Sequence, residues 1–257
     1  MALLEINGIL LNVNTKGEGQ PLLLIHGVGG DSTQVEIIAE PLSRQYQVIR
    51  LDCRGHGLSS KPAEYTLHDH VQDIIGIMDH FKLDSIYLLG VSMGSYIAQG
   101  VAIAVPERVS KLVLTVPKSN GLTPSIQRLM KDNEAELKGL NFHEVILKLL
   151  KYLTYDPETM IAHIDLFETK LTPAQFAAAN KALENFDFRA QLPSVTAKTL
   201  VISGKHDGLN PPEEGRLCAQ LIPGAQFIQM QYSGHAPMYE EPALYLSTIQ
   251  NFLSEQN

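Results

Sequence analysis

The chain has 257 residues, of which 44% are apolar and 19% charged, and this composition and length are typical of one large globular domain. Its formal net charge of −8 argues against nucleic acid as a partner, because binding to phosphates requires a basic surface. No apolar run approaches the roughly 18 residues of a membrane span, and the start lacks the features of a signal peptide. With only two cysteines, Cys53 and Cys218, we expect a cytoplasmic protein without a disulfide framework.

Short apolar segments alternate with helical ones along most of the chain. The first two strands, residues 3–6 and 9–13, flank Asn7-Gly8, which is a strong two-residue hairpin signal. Further strands are predicted at residues 21–25, 47–51, 85–89, 109–116, 199–203 and 226–230, and helices at residues 32–43, 67–81, 95–104, 212–221 and 242–253. This alternation predicts an α/β fold in which helices flank a mostly parallel sheet.

The alternation of strands and helices stops after residue 117. Thr123-Pro124, Asp156-Pro157 and Thr172-Pro173 each place a capping side chain before a proline, which is typical of a helix start. Residues 142–153 carry an apolar stripe at helical spacing. We therefore predict a core made of residues 1–117 and 191–257, with a helical segment, residues 118–190, inserted between its two parts.

The segment Gly90-Val91-Ser92-Met93-Gly94 follows a predicted strand and precedes a predicted helix. Strand, Gly-x-Ser-x-Gly and helix in this order are typical of a nucleophile elbow, in which a sharp turn exposes the serine. A Cβ atom at either glycine would crowd the strand against the helix. The helix N-terminus beside Ser92 would favour developing negative charge. We predict that Ser92 is a nucleophile, and the alternative is an ordinary glycine-serine turn.

A nucleophilic serine requires a base and an orienting acid, which follow an elbow of this type in the order acid, histidine. Asp207 and His235 come in that order, each directly after a predicted strand, so both loops lie at the carboxyl edge of the sheet. A position after the strand that follows the elbow helix is the alternative for the acid, but Pro117-Lys118-Ser119-Asn120 has no carboxylate there. Glu213 and Glu214 are better explained as first-turn helix residues.

Other histidines compete for a functional role. His206 adjoins Asp207, but His235 fits the expected order and its Gly-His-x-Pro context better. His68-x-His70 resembles half of a metal site, but no cysteine or carboxylate cluster lies near it, so we predict no metal. We expect His68, His70 and His80 to be solvated on a polar helix.

The combination of motifs resembles the α/β-hydrolase fold superfamily over nearly the whole chain. The matching features are His26-Gly27 after one strand, Asp52-x-Arg54-Gly55-x-Gly57 after another, the elbow, and the two later loops. The resemblance implies that the nucleophile, the general base and the orienting carboxylate are Ser92, His235 and Asp207. It also implies that residues 118–190 form an α-helical cap over the site.

The same resemblance implies an oxyanion hole made by the backbone N–H groups of Met93 and Val28. The glycine-rich loop at residues 26–30 has neither dinucleotide-binding nor Walker spacing, which argues against a phosphate cofactor. The candidate residues for the substrate pocket are His26, Phe142, Tyr152, Tyr155, Phe167 and Phe176. For each of these side chains, packing inside the protein is the competing explanation.

We expect a capped serine hydrolase that cleaves a small or medium carboxylic ester through an acyl-enzyme, without metal or organic cofactor. Similar folds also host C–C bond hydrolases, lyases and perhydrolases on the same triad. The lyase of menaquinone synthesis tends to carry an arginine after the elbow, where this chain has Gly94-Ser95-Tyr96. Another alternative is a small-molecule receptor or signalling partner with slow turnover. The expected partner is the ester substrate, and the oligomeric state is left open.

Overall fold

The structure is a computed structural model that describes residues 2–163 and 169–255, without the side chains of Phe142 and His143. The strands are β1 (Ala2–Ile6), β2 (Ile9–Lys16), β3 (Pro21–Ile25), β4 (Gln47–Leu51), β5 (Ile86–Val91), β6 (Val109–Thr115), β7 (Lys198–Gly204) and β8 (Gln226–Met230). The helices are α1 (Glu36–Leu42), α2 (Leu67–His80), α3 (Met93–Ala104), α4 (Ser125–Asp132), α5 (Glu134–Leu137), α6 (Phe142–Leu153), α7 (Pro157–Ile161), α8 (Pro173–Lys181), α9 (Pro212–Leu221), α10 (Pro237–Glu240) and α11 (Pro242–Ser254).

The strands form one sheet in the order β1-β2-β4-β3-β5-β6-β7-β8. The β1–β2 and β2–β4 pairs are antiparallel, and the other neighbouring pairs are parallel. The predicted α/β class with a mostly parallel sheet is therefore confirmed. Among the described residues, no helix combines the length and apolar character needed to cross a membrane.

The sheet is buried on both faces, which explains why its central strands are continuous apolar runs. In β3, Leu23 and Ile25 pack into the hydrophobic cluster that contains residues of α2 and α3. The alternate residues Leu22 and Leu24 pack into the opposite cluster, with residues of α1 and α11. Successive side chains of a strand point to opposite faces, so one run fills both layers.

Because β3 to β8 are mutually parallel in this sheet, their carboxyl ends meet at one edge. The register aligns Ile25 with Gly90 and Val91 with Thr115. The turns after five of these strands consequently bring together residues that are far apart in sequence: His26, Asp52, Ser92, Asp207 and His235.

Between β6 and β7 the described residues contain the helices α4 to α8, and we call residues 118–190 the inserted segment. An isolated antiparallel bridge joins Asn120 to Asp187. Beside it, Gly121 N–H donates to Phe186 O at 2.8 Å and Phe188 N–H donates to Ser119 O at 2.9 Å. These bonds hold the two ends of the inserted segment together at the edge of the sheet.

Helix starts in the inserted segment agree with the sequence at two positions of three. The side chains of Asp156 and Thr172 accept hydrogen bonds from the first turns of α7 and α8. The prediction for Thr123 was wrong, because α4 begins after Pro124 without a side-chain cap. The Thr123 carbonyl instead accepts a hydrogen bond from Lys118 Nζ at 2.7 Å.

The expectation that His70 is solvated was also wrong. His68 and His80 are exposed, but His70 is buried. Two residues along a helix correspond to a rotation of about 200°, which moves the side chain to the opposite face. The His70 ring packs there against Tyr65, with 5.2 Å between ring centroids.

Candidate active site

Ser92 occupies a strained turn between β5 and α3. Its φ of 52° and ψ of −116° lie in a region that side chains other than glycine rarely adopt. A Cβ atom at Gly90 would lie 2.0 Å from Gly94 O, and one at Gly94 would lie 2.2 Å from Ile25 O. Both glycines are therefore required by the close approach of strand and helix, as the Gly-x-Ser-x-Gly pattern predicts.

The three residues predicted to act together lie in hydrogen-bond contact. His235 Nε2 is 2.9 Å from Ser92 Oγ, and His235 Nδ1 is 2.7 Å from Asp207 Oδ2. The Asp207 side chain is fully buried, whereas 17% of the His235 side chain is exposed. This arrangement lets the imidazole accept a proton from the hydroxyl while the carboxylate orients the ring.

Backbone N–H groups hold the carboxylate of Asp207 in place. Its Oδ1 atom accepts hydrogen bonds from Leu209 N–H and Asn210 N–H, each at 2.9 Å. Oδ2 therefore remains for the histidine, and the buried charge is satisfied on both oxygens.

The C-terminal end of α6 is bonded to both of these loops. Tyr152 O accepts from Gly208 N–H at 2.8 Å, and Leu153 O accepts from His235 N–H at 2.6 Å. Near them, the Glu240 carboxylate accepts from Gly234 N–H at 2.7 Å and from Tyr155 N–H at 2.6 Å. Burial raises the pKa of Glu240, and these N–H donors oppose that rise. The inserted segment is thus part of the support of the His235 loop.

The loop after β3 carries the predicted oxyanion donor Val28. Gly27 N–H donates to Gln34 Oε1 at 2.9 Å, and Gly30 N–H donates to Gly27 O at 3.3 Å. Within the described residues, no protein acceptor is recorded for the backbone N–H of Val28 or of Met93. Val28 and Ser92 line the same cavity.

Asp52 holds the next loop against this one. Its carboxylate accepts from Ser32 N–H and Leu58 N–H at 2.8 Å each, and from Asn12 Nδ2 at 2.9 Å. Burial raises the pKa of this carboxyl, but the hydrogen bonds outweigh burial and hold it below its ordinary value. The hydrogen bonds of Asp52 therefore stabilise the loops next to the candidate oxyanion donor.

An apolar cavity opens beside Ser92, with an empty volume of about 1010 Å³ that includes space open to solvent. Its apolar walls come from the core loops, from the inserted segment and from α10. They are formed by Val28, Val91, Ile126, Ile146, Leu150, Leu153, Met160, Phe176, Leu209, Ala236 and Met238. Such a wall suits an apolar part of a small ligand.

Three predicted pocket residues do not line this cavity. His26 is buried behind the loop, where its Nε2 accepts from Cys53 N–H at 3.0 Å and burial lowers its pKa. Tyr152 points to Glu136, with 3.0 Å between hydroxyl and Oε1. Tyr155 is 49% exposed and packs against His206 and Tyr232 on the outer surface. Helical spacing and aromatic character do not reveal which way such side chains point.

Of the remaining pocket candidates, Phe176 lines the cavity, and its Cε2 lies 3.1 Å from the position of a Cβ atom on Gly29. The Phe142 side chain and Phe167 lie outside the described residues. No sequence signal distinguishes the more numerous aliphatic wall residues, because any of them is equally suited to internal packing.

A second cavity meets the first at Ser92, with an empty volume of about 500 Å³ that includes open solvent space. Its walls are more polar and include Tyr96, Lys118, Asn120, Ser125 and Asn180. Tyr96 and Asn210 escaped the sequence analysis, yet Asn210 Nδ2 donates to the Tyr96 hydroxyl at 2.7 Å. Burial raises the pKa of the Tyr96 hydroxyl, and the nearby Ser92 side chain opposes that rise.

Over residues 2–163 and 169–255, no three or more His, Cys, Asp or Glu side chains are grouped as metal ligands would be. The chemistry that Ser92, His235 and Asp207 can supply together is proton transfer and nucleophilic attack by a hydroxyl.

Comparison with known proteins gives consistent matches. A family model described as alpha/beta hydrolase fold matches residues 20–160. A 2-hydroxymuconate semialdehyde hydrolase from Pseudomonas putida is 31% identical over 96% of this chain and 92% of its own. The structure of an enol-lactonase from Burkholderia xenovorans LB400 superposes with a TM-score of 0.86 at 25% identity, covering 99% of this chain and 100% of that one. A thermophilic esterase from Thermogutta terrifontis has a TM-score of 0.83 at 27% identity, covering 98% of this chain and 97% of its own.

Proposed function

Since the chain belongs to the α/β-hydrolase fold family and its relatives are hydrolases, we propose that it is a serine hydrolase that cleaves a small or medium carboxylic ester. The observation that carries the proposal is the continuous contact from Asp207 through His235 to Ser92, at 2.7 and 2.9 Å. The likeness to an enol-lactonase and to an esterase supports an ester or lactone bond as the bond that is broken.

In the proposed reaction, His235 Nε2 takes the proton of Ser92 as its oxygen attacks the acyl carbon. The backbone N–H groups of Met93 and Val28 stabilise the negative charge on the carbonyl oxygen. His235 then gives the proton to the departing alcohol. Water enters, His235 takes one of its protons, and the acyl-enzyme is hydrolysed so that Ser92 is restored. Asp207 keeps the ring oriented and stabilises its charged form.

We propose that the inserted segment, residues 118–190, is a cap on a core of residues 1–117 and 191–257. The support for this proposal is that Ile146, Leu150 and Phe176 of this segment line the apolar cavity. An apolar acyl group fits that cavity, since its walls offer few polar partners.

We retain a small-molecule ester, with neither nucleic acid nor membrane, as the proposed partner and the cytoplasm as the proposed location. Both cysteines are free and buried, and burial raises the pKa of each thiol. A chain that does not depend on disulfides suits a reducing compartment.

Replacing the nucleophile tests the proposal directly. We expect Ser92→Ala to lower kcat/KM for p-nitrophenyl butyrate by roughly a thousandfold or more, because no other group takes over the attack. Ser247→Ala, on the exposed side of α11, is the matched control. Undiminished hydrolysis by Ser92→Ala would refute the assignment, and negligible turnover by the unmodified chain over a panel of esters would favour the receptor alternative.

A second candidate reaction has a specific observation behind it. The 31% identical relative is a hydrolase of 2-hydroxymuconate semialdehyde, so the same triad here is also suited to C–C bond hydrolysis of such a substrate. Comparing kcat/KM for that semialdehyde and for p-nitrophenyl butyrate ranks the two candidates.

A further inference from the structure

The second cavity beside Ser92 contains an unusual charge. Lys118 follows β6 at the carboxyl edge of the sheet, and it is the one charged residue among the described residues that line this cavity. Only 7% of the residue is exposed. The described residues of this wall include no carboxylate.

Among the described residues, the hydrogen bonds of the Lys118 ammonium leave one of its three donors without a protein acceptor. Nζ donates to Thr123 O at 2.7 Å and to Ser125 Oγ at 3.1 Å. No carboxylate in the described part of the chain lies within the 4.0 Å of an ion pair. Burial lowers the pKa of this ammonium, and the more distant charge of Glu214 opposes the change.

A directed series of hydrogen bonds runs from the lysine to Tyr96, which lines the second cavity together with Ser92. Lys118 donates to Ser125, the Ser125 hydroxyl donates to Asn210 Oδ1 at 2.8 Å, and Asn210 donates to Tyr96. Tyr96 lies against Ser92. A group bound at Lys118 therefore sits in the second cavity, which the nucleophile also lines.

A buried ammonium without a counter-ion is costly, and an anionic ligand with hydrogen-bond acceptors relieves that cost. We propose that the second cavity binds a carboxylate of the substrate through Lys118, so that the ester cleaved at Ser92 is one that also carries a free acid. This inference rests on the proposed function and narrows its substrate class. The apolar cavity takes the remaining, uncharged part of the molecule.

Paired substrates test the inference, because the two members of a pair differ only in that a methyl ester replaces the free carboxylate. One pair is 4-butanoyloxybenzoate and its methyl ester, with the acid on the alcohol side; the other is monomethyl and dimethyl adipate, with the acid on the acyl side. We expect the unmodified chain to favour the carboxylate of at least one pair by about tenfold in kcat/KM, as expected for a charge-assisted hydrogen bond. The pair that shows the preference identifies the side of the ester that faces Lys118.

Variants at position 118 attribute that preference to the lysine. Lys118→Met keeps the aliphatic stem and should abolish the ratio between the two members of the pair, and Lys118→Arg should restore part of it. The ratio does not depend on the amount of folded protein. Lys148→Met, on the exposed face of α6, is the control that should keep the ratio. A preference that survives in Lys118→Met, or no preference in either pair, would overturn the inference.

A binding measurement separates this inference from the proposed hydrolysis. In the Ser92→Ala background, calorimetry should show that monomethyl adipate or 4-butanoyloxybenzoate binds about tenfold more tightly than its uncharged partner. In Ser92→Ala with Lys118→Met, the two should bind equally. If this difference is present but no ester is turned over by the unmodified chain, the proposed reaction fails and the carboxylate site stands. Equal binding in the Ser92→Ala background would rule out the site whatever the turnover.

Discussion

At the scale of single residues, the geometry around Ser92 depends on side chains that never touch the reacting atoms. Gln34 is an example, because its Oε1 accepts the N–H of Gly27 at 2.9 Å, one residue before the candidate oxyanion donor Val28. A donor contributes to a transition state only if it is in place before the charge develops. Gln34 is therefore a positioning residue for the loop.

We predict that Gln34→Leu lowers kcat for p-nitrophenyl butyrate about tenfold, less than the roughly hundredfold loss expected for removing an oxyanion donor itself. KM should change little, because the apolar wall is retained. Steady-state kinetics of Gln34→Leu and of the exposed control Gln45→Leu measure both constants. A loss confined to KM would show that Gln34 contributes to ground-state binding and not to the loop.

At the scale of elements, the inserted segment and the core are joined where α6 ends. The carbonyls of Tyr152 and Leu153 accept from the Asp207 and His235 loops. The Glu240 carboxylate accepts from Tyr155 N–H, which follows α6, and from Gly234 N–H, and it thereby links these two segments. Helix α6 thus both lines the cavity and supports the His235 loop, so we expect its packing to affect the position of His235.

We predict that Glu240→Ala lowers the free energy of unfolding by about 1–3 kcal/mol, since it leaves partly buried N–H groups without their acceptor. The same variant should lower kcat, because the His235 loop loses one support. Urea unfolding and steady-state kinetics test this, with the exposed Glu158→Ala as control. Unchanged stability together with unchanged kcat would show that the α6 carbonyls alone suffice.

At the scale of the whole molecule, buried neutral histidines make stability depend on pH. Burial is the largest cause that lowers the pKa of His26, His56 and His70, and that of His56 falls to about 3. In the unfolded chain these imidazoles have the ordinary value of 6.5. Below that pH the unfolded state binds protons that the folded state excludes, so acid favours unfolding.

We predict that His56 alone lowers the free energy of unfolding by about 1 kcal/mol between pH 7.5 and 5.5, and that His26 and His70 add changes of the same sign. The contribution of His56 is full above pH 6.5 and is lost as the pH falls toward about 3. Urea titrations at both pH values, compared with His56→Gln, test the sign, since the variant should depend less on pH. The exposed His68→Gln is the control, and an equal pH dependence in all three chains would contradict the assignment.

The sequence alone determined the features that depend on neighbouring residues in the chain. Short segments of the sequence are enough to identify the elbow, the Asp207 and His235 loops in their order, and the alternation that predicts a parallel sheet. Local backbone sterics and hydrophobic periodicity dictate these features, so they can be inferred without coordinates.

Only the tertiary structure decided which side chains of the inserted segment face Ser92, and which charges lack a partner. Tyr152 and Tyr155 turn away while Leu150 and Leu153 of the same stretch line the cavity. Nothing in the sequence around Lys118 indicates that this side chain is buried and that it donates to Thr123 O. Orientation and pairing depend on contacts between segments far apart in the chain, and the pattern within one segment does not record them.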